Sequence, residues 1–182
     1  PGSKENTDVP WFVIYPLGGT FSYEPAGEKY KGTKWIVHNL IDAVAKGGNF
    51  MAGIGPDGSG RFHPEAIAQL RQTGSWLKIN GEGIYATRAR EGDLWKQGDQ
   101  IRYTRSKDNK VIYAFSFEWP GEQLILQTVK PGRKAKIFLM GDDRELQWKH
   151  DGSRGLIIEL PPSLRENLSP AAQIAYGFKI EI

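Results

Sequence analysis

The sequence predicts two unlike fold classes in tandem: α/β over residues 1–90 and all-β over residues 91–182. Three observations predict this. Strand and helix patterns alternate in the first part, which is the order of a parallel α/β unit. Short β-branched and aromatic runs separated by turn signals fill the second, as in an antiparallel sandwich. The style changes within "RAREGDLW" (88–95), which places the boundary there.

The elements follow in order. "WFVIYPL" (11–17) is an apolar run that reads as a buried strand. In "TKWIVHNLIDAVAK" (33–46), Ile36, Val37, Leu40, Ile41 and Val44 recur at helical spacing. Thr33 is the expected N-cap, and Gly47-Gly48 stop the helix because glycine takes the left-handed C-cap conformation at little cost. "NFMAGI" (49–54) reads as a strand buried on both faces, and "GPDGSG" as a turn. "PEAIAQLRQTGSWLKIN" (64–80) is a second helix. Pro64 suits its first position, Glu65 the positive end of its dipole, and Gly81 its stop. Ala66, Ile67, Leu70 and Leu77 mark its expected inner face. The second part contains "DQIRYTRS", "VIYAFSFE", "QLILQTV", "AKIFLMG", "LQWKHD", "GLIIELP" and "YGFKIEI" as strands, with turns such as "KDNK", "KPGRK" and "DGSR" between them. Two strand–helix units neither close a barrel nor cover both faces of a sheet. The first part therefore reads as the tail of a larger α/β domain, and the β part as able to fold alone.

Composition narrows the function. A hydrophobic fraction of 39% and a charged fraction of 25% are ordinary for a globular protein. Net charge is +3, with 24 basic residues scattered among 21 acidic ones, so no nucleic-acid partner is expected. There are no cysteines, which excludes disulfides, thiolate metal sites and a cysteine nucleophile. No apolar run is long enough to span a membrane, and "PGSKENTDVP" does not look like a signal peptide. His38, His63 and His150 are dispersed, so no metal is expected. "GPDGSG" lacks both the Lys of a phosphate loop and the carboxylate series of a calcium loop, and no cofactor is expected. "NLSP" (167–170) is a glycosylation sequon in form only. Aromatics reach 12%; most such rings fill cores, and some bind sugars.

The motif order resembles a known family. "GTFSYEP", a helix, and "AVAKGGNFMAGIGPDGSGRFHPEAIAQLRQTGSWLKINGEGIYATR" are similar to the C-terminal part of glycoside hydrolase family 29, the α-L-fucosidases. The likeness is ordered over residues 11–88; from 91 on it is architectural. It implies the C-terminal part of a (β/α)8-type barrel followed by an antiparallel β-sandwich. "NFMAGIGP" would be the last barrel strand, and its glycine-rich turn would lie on the face where such barrels keep their active sites. The implied protein is a secreted, periplasmic or lysosomal retaining exo-glycosidase that acts on a fucosylated glycan or oligosaccharide. Its partner would be the remainder of the barrel, in the same or a separate chain.

Phe21 aligns with the aromatic of the family's aromatic-Gly-Tyr motif, with Ser22 in place of the glycine. The resemblance implies that Phe21 packs on the C5–C6 edge of fucose, since a methyl group suits an apolar wall. Tyr23 and His63 are further substrate-binding candidates, and Phe21 and Tyr23 both also read as core residues below the pocket. Retaining glycosidases need two carboxyl groups about 5–5.5 Å apart. The family's Asp nucleophile lies on an earlier strand, and nothing here matches its motif. Phe12 stands where many relatives have Glu, so the acid/base must come from elsewhere. Asp57 reads as turn chemistry, Glu65 as helix-start charge, and Glu24 and Glu28 as solvated or aglycone-facing. No catalytic residue is assigned within the chain. The leading reading is the C-terminal portion of an α-L-fucosidase that is inactive alone. The alternative is a carbohydrate-binding or scaffold protein derived from one, which a solvent-facing row of Trp95, Trp119 and Trp148 would favour.

Overall fold

A computed structural model describes residues 9–23 and 29–182. Strands β1 (Phe12–Pro16) and β2 (Asn49–Gly53) pair in parallel, with Ile14 beside Met51 and Pro16 beside Gly53. Helix α1 (Thr33–Ala45) lies between them in sequence, and α2 (Pro64–Asn80) follows β2. This is the expected strand–helix–strand–helix order. Side chains alternate across a strand. Tyr15 and Phe50 turn towards α1, where they meet Trp35 at ring-centroid distances of 6.0 and 5.9 Å. Phe12, Ile14 and Met51 stay exposed.

The helix ends show how local chemistry sets the boundaries. Lys46 caps α1, and Gly47 follows at φ 84°. The Gly47 N–H donates to Val44 O and the Gly48 N–H to Ala43 O, both at 2.9 Å, which satisfies two carbonyls of the last turn. At the other end Thr33 is not the N-cap: Gly32 is, and Thr33 lies inside the helix. Its hydroxyl donates to Gln72 Oε1 at 2.6 Å, so it ties α1 to α2 instead. On α2 Ala66 and Trp76 are fully buried, while Leu70 is 37% exposed. The inner face runs Ala66, Thr73, Trp76 and Asn80, because the large indole decides which side of the helix meets the rest of the protein. Gly81 caps α2 as expected, and the chain continues from it into a 3₁₀ turn (Gly81–Gly83).

The second part is antiparallel. Strands β3 (Arg88–Ala89), β4 (Lys96–Gln97), β5 (Ile101–Arg105), β6 (Val111–Ser116), β7 (Gln123–Leu126), β8 (Ile137–Leu139), β9 (Trp148–Asp151), β10 (Gly155–Glu159) and β11 (Tyr176–Glu181) form two sheets, with a short helix α3 (Pro162–Glu166) before β11. The larger sheet has the order β3-β5-β6-β11-β8, with β4 also paired to β5. The smaller has the order β7-β10-β9. All seven runs read as strands from the sequence contain one; the two-residue β3 and β4 and helix α3 were too short to leave a pattern.

Two cores share the larger sheet as a wall. Tyr103, Ala114, Leu139, Phe178 and Ile180 face Leu124, Leu126, Leu156 and Ile158 of the smaller sheet. Tyr113 and Phe115 point the other way and pack with Val37 and Ile41 of α1 and Trp76 of α2. Strand β6 is thus buried from Ile112 to Ser116 without a break. Folded alone, the β part would expose Tyr113 and Phe115. Residues 91–182 expressed by themselves should melt at a lower temperature than they do within the 182-residue chain, because the outer wall of the larger sheet is then uncovered.

The joint between the parts is tight enough to test. Gly177 of β11 lies against Asn80, Met140 and Phe115, and a methyl group there would fall 2.9 Å from Met140 Sδ and 3.1 Å from the Phe115 ring. Asn80 Nδ2 donates to Trp76 O at 3.3 Å, and Asn80 Oδ1 is buried without a partner among the described residues. Gly177→Ala should cost about 1–3 kcal/mol by overpacking, read from the denaturation midpoint. An unchanged midpoint would show that the joint is loose.

Candidate functional site

β1 and β2 end side by side, and two loops leave from these ends. Leu17, just past β1, is buried and its N–H donates to Gly53 O at 2.7 Å, which extends the pairing by one bond. The chain then turns through Gly18 and Gly19 to Phe21. Lys31 holds this loop: its Nζ donates to Pro16 O at 2.5 Å and Gly18 O at 2.6 Å and lies 5.0 Å over the Trp35 ring. An ammonium that donates to two strand-end carbonyls makes charge-assisted bonds, the stronger kind.

The loop lies directly on β2. A Cβ on Gly53 would fall 2.7 Å from the Phe21 ring, and one on Gly55 would fall 2.5 to 2.8 Å from the backbone of Phe21, Ser22 and Tyr23. The glycines at the end of β2 are therefore a seat. Without side chains they let the strap from the neighbouring strand lie flat, and the strap presents Phe21 at the strand ends. Phe21 is 54% exposed and Tyr23 half-buried. Gly55→Ala should unseat the strap and cost about 1–3 kcal/mol in thermal denaturation. Gly58→Ala, where a methyl group meets nothing within 4 Å, is the control and should change little. Equal effects would refute the seat.

The loop after β2 is held by its own carboxylate. Asp57 accepts from the Ser59 hydroxyl at 2.6 Å, the Ser59 N–H at 2.8 Å and the Arg61 N–H at 3.0 Å. The Ser59 hydroxyl bond, together with those N–H groups and the Arg61 charge, holds its pKa at about 2. A carboxyl group so deeply ionised does not serve as a proton donor near neutral pH. His63 is the N-cap of α2: its Nδ1 accepts from the Glu65 N–H at 3.2 Å, and its ring lies 5.3 Å from that of Tyr30. Glu65 accepts from Gln69 Nε2 at 3.1 Å, and Gln69 Oε1 accepts from the Gly32 N–H at 3.0 Å. Glu24 and Glu28 lie outside the described residues. His38 of α1 is half-buried and stacks on Phe117 at 4.2 Å. Burial lowers its pKa.

The structure brings Phe21, Tyr23 and His63 to one end of the strand pair. His63 is occupied there as a cap, and Phe21 offers a free ring. Beside Phe21, the exposed side chains of Phe12, Ile14 and Met51 make the outer face of β1 and β2 apolar. This arrangement can hold an apolar edge of a ligand. Asp57 and Glu65 are both engaged locally and form no acid–base pair. Sequence reasoning missed Lys31 as the clamp and Gly53 with Gly55 as the seat. The Gly-x-Gly spacing was visible, but its purpose depends on what lies against it.

The comparisons agree with this geometry. Residues 2–82 match the family model described as Alpha-L-fucosidase, and residues 96–181 the one described as Alpha-L-fucosidase C-terminal domain. The human plasma alpha-L-fucosidase is 34% identical over 151 residues, which is 82% of this chain and 32% of that protein. The rat tissue alpha-L-fucosidase is 35% identical over 127 residues, 69% of this chain and 27% of that protein. The structure of the Thermotoga maritima alpha-fucosidase in complex with fucose superimposes with a TM-score of 0.79 at 26% identity, covering 94% of this chain and 40% of that one. These likenesses define the fold class as the C-terminal part of a (β/α)8-type barrel followed by a β-sandwich. The chain belongs to the α-L-fucosidase family, glycoside hydrolase family 29, and corresponds to its C-terminal part. It spans about a third or less of the length of the curated relatives it matches.

Proposed function

We propose that this chain supplies the C-terminal part of a retaining α-L-fucosidase that removes terminal α-L-fucose from a glycan. Residues 1–90 contribute the end of the catalytic barrel and residues 91–182 the sandwich that supports it. The two family matches, which end at residue 82 and resume at 96, support this division. The reading is carried by one observation: Phe21, exposed at the ends of β1 and β2 and seated on Gly53, is an apolar wall of the kind a 6-deoxy sugar requires. Tyr23 and His63 frame the same end of the strands and would contact the rest of the sugar or its aglycone.

In this reading an Asp on another strand of the barrel attacks C1 of the fucosyl unit. The bond from C1 to the leaving oxygen breaks, and an acid group protonates that oxygen. Water, deprotonated by the same group, then displaces the Asp and releases fucose with its configuration retained. Neither group is assigned to this chain. Its part is to bind and orient. The remainder of the barrel, in the same or a separate chain, is the partner that covers the exposed Phe12, Ile14 and Met51.

The first test is hydrolysis of an aryl α-L-fucoside, whose leaving group needs little acid assistance. The 182-residue chain alone should give no turnover. Clear turnover would place the nucleophile here and overturn the division of labour. In an enzyme containing this chain, Phe21→Ala should weaken kcat/KM for the fucoside by about tenfold and lose preference over the corresponding L-galactoside, which differs by one hydroxyl. An unaltered preference would remove Phe21 from the site. The rival binding-module reading needs exposed tryptophans in a row. Trp95 is 8% exposed, and Trp119 and Trp148 are half-buried against the sandwich core, which weighs against it.

A further inference from the structure

We propose that the cleft between Trp119 and helix α3 is a second carbohydrate subsite, one that takes a neutral pyranose of the glycan and not its terminal fucose. The cleft has a volume of about 480 Å3 and is lined by Trp119, Glu122, Leu160, Arg165, Glu166 and Gln173. Its size falls in the range of small-molecule sites, and so does its make-up of an apolar floor with a few polar groups.

Three features point to a sugar. Trp119 is anchored from behind by Tyr176, edge to face at 5.1 Å, yet its indole N–H has no acceptor among the described residues. Its counterpart in the sandwich, Trp148, gives its N–H to Ala135 O at 3.1 Å. Trp119 therefore keeps a free donor for a hydroxyl, beside an apolar ring that lines the cleft. Arg165 lies 6.0 Å over the same ring and forms no ion pair among the described residues, and neither does Glu122 or Glu166. Carboxylates accept hydroxyl protons and a guanidinium donates in a fork, so this set can bind adjacent hydroxyls in both senses. Gln173 gives its Nε2 to Leu168 O at 3.0 Å, which fixes the amide at the cleft wall. Two carboxylates against one guanidinium leave the cleft net negative, which disfavours phosphate, sulfate and acidic sugars.

Its position fits a role beside the site proposed above, and that placement rests on the fucosidase reading. Helix α1 begins at the end of the molecule where β1 finishes, and Lys34 in its first turn pairs with Glu118 at 2.5 Å. Trp119 is the next residue. The cleft thus lies towards the same end of α1 as the strand ends that present Phe21.

Lactose tests the cleft without reference to fucose, because it contains none. Titrated into the ¹⁵N-labelled 182-residue chain, lactose should shift the Trp119 indole and Arg165 side-chain resonances saturably and leave the buried Trp76 indole unmoved. Glu166→Ala and Arg165→Ala, both at exposed positions, should each weaken this binding about tenfold without altering the melting temperature. Absence of any shift up to about 50 mM lactose, a limit that detects even feeble binding, would overturn the proposal. So would unchanged affinity in both variants, or shifts produced by inorganic phosphate and not by lactose. None of these results bears on Phe21, so a failure here stands apart from a failure of the fucosidase reading.

Discussion

Trp76→Ala is expected to lower the stability of the chain by about 3–5 kcal/mol, the usual range for removing a buried tryptophan. The indole is fully buried, packs on Phe115 at 5.9 Å, and donates to Ala175 O at 2.9 Å. It fills the seam between α2 and the larger sheet, so its loss opens a cavity and strands a carbonyl together. Trp76→Phe separates the two effects. It keeps most of the volume and loses the hydrogen bond, and should cost about 1–3 kcal/mol, mainly for the unsatisfied carbonyl. Urea denaturation followed by circular dichroism gives both numbers. A loss of less than about 1 kcal/mol for the alanine variant would mean that the seam is not a core.

Asp42→Ala is expected to cost about 3–5 kcal/mol, because it leaves buried cations without their counter-charge. Asp42 sits on the inner side of α1. Its carboxylate accepts from Lys46 Nζ at 2.8 Å and from Arg102 Nε of β5 at 2.6 Å. Both cations also lie over the buried Trp95 ring, at 5.0 and 5.2 Å. Burial alone would raise the Asp42 pKa, but Lys46 and Arg102 help to hold it at about 2, below its ordinary 3.8. A carboxyl group with a depressed folded pKa stabilises the fold above its unfolded pKa and stops doing so as pH falls through the folded value. The contribution should therefore be complete above about pH 5 and disappear between about pH 4 and pH 2, amounting to about 1–2 kcal/mol. Asp42→Asn should flatten that part of the acid-denaturation curve. An unaltered curve would show that the cluster is not the acid-sensitive element.

These two predictions concern contacts that the sequence did not reveal. Asp42 and Arg102 are separated by 60 positions, and Trp76 and Ala175 by 99. No local pattern links them. What was readable was local. Ile36, Val37 and Ile41 at helical spacing marked α1, and all three are buried. Gly47 ended it as expected, through its positive φ. Thr33 misled because a threonine before an apolar run fits an N-cap equally well whether or not the helix begins one residue earlier. Leu70 misled because periodicity names an apolar stripe, and the larger Trp76 shifted that stripe around α2. Phe21 stood out only through the family motif, since one aromatic residue in a loop carries no period.

The sequence by itself determined the order of elements and the family. These follow from backbone geometry, turn residues and a long ordered motif, all properties of neighbouring positions. Only the tertiary structure decided that Gly53 and Gly55 are a seat for the Phe21 strap, that the larger sheet is buried on both sides, and that Trp119 keeps a free edge in a cleft. Each of these depends on which surface lies against which. Such contacts are settled by burial and close packing across the whole chain, and a run of residues does not encode them on its own.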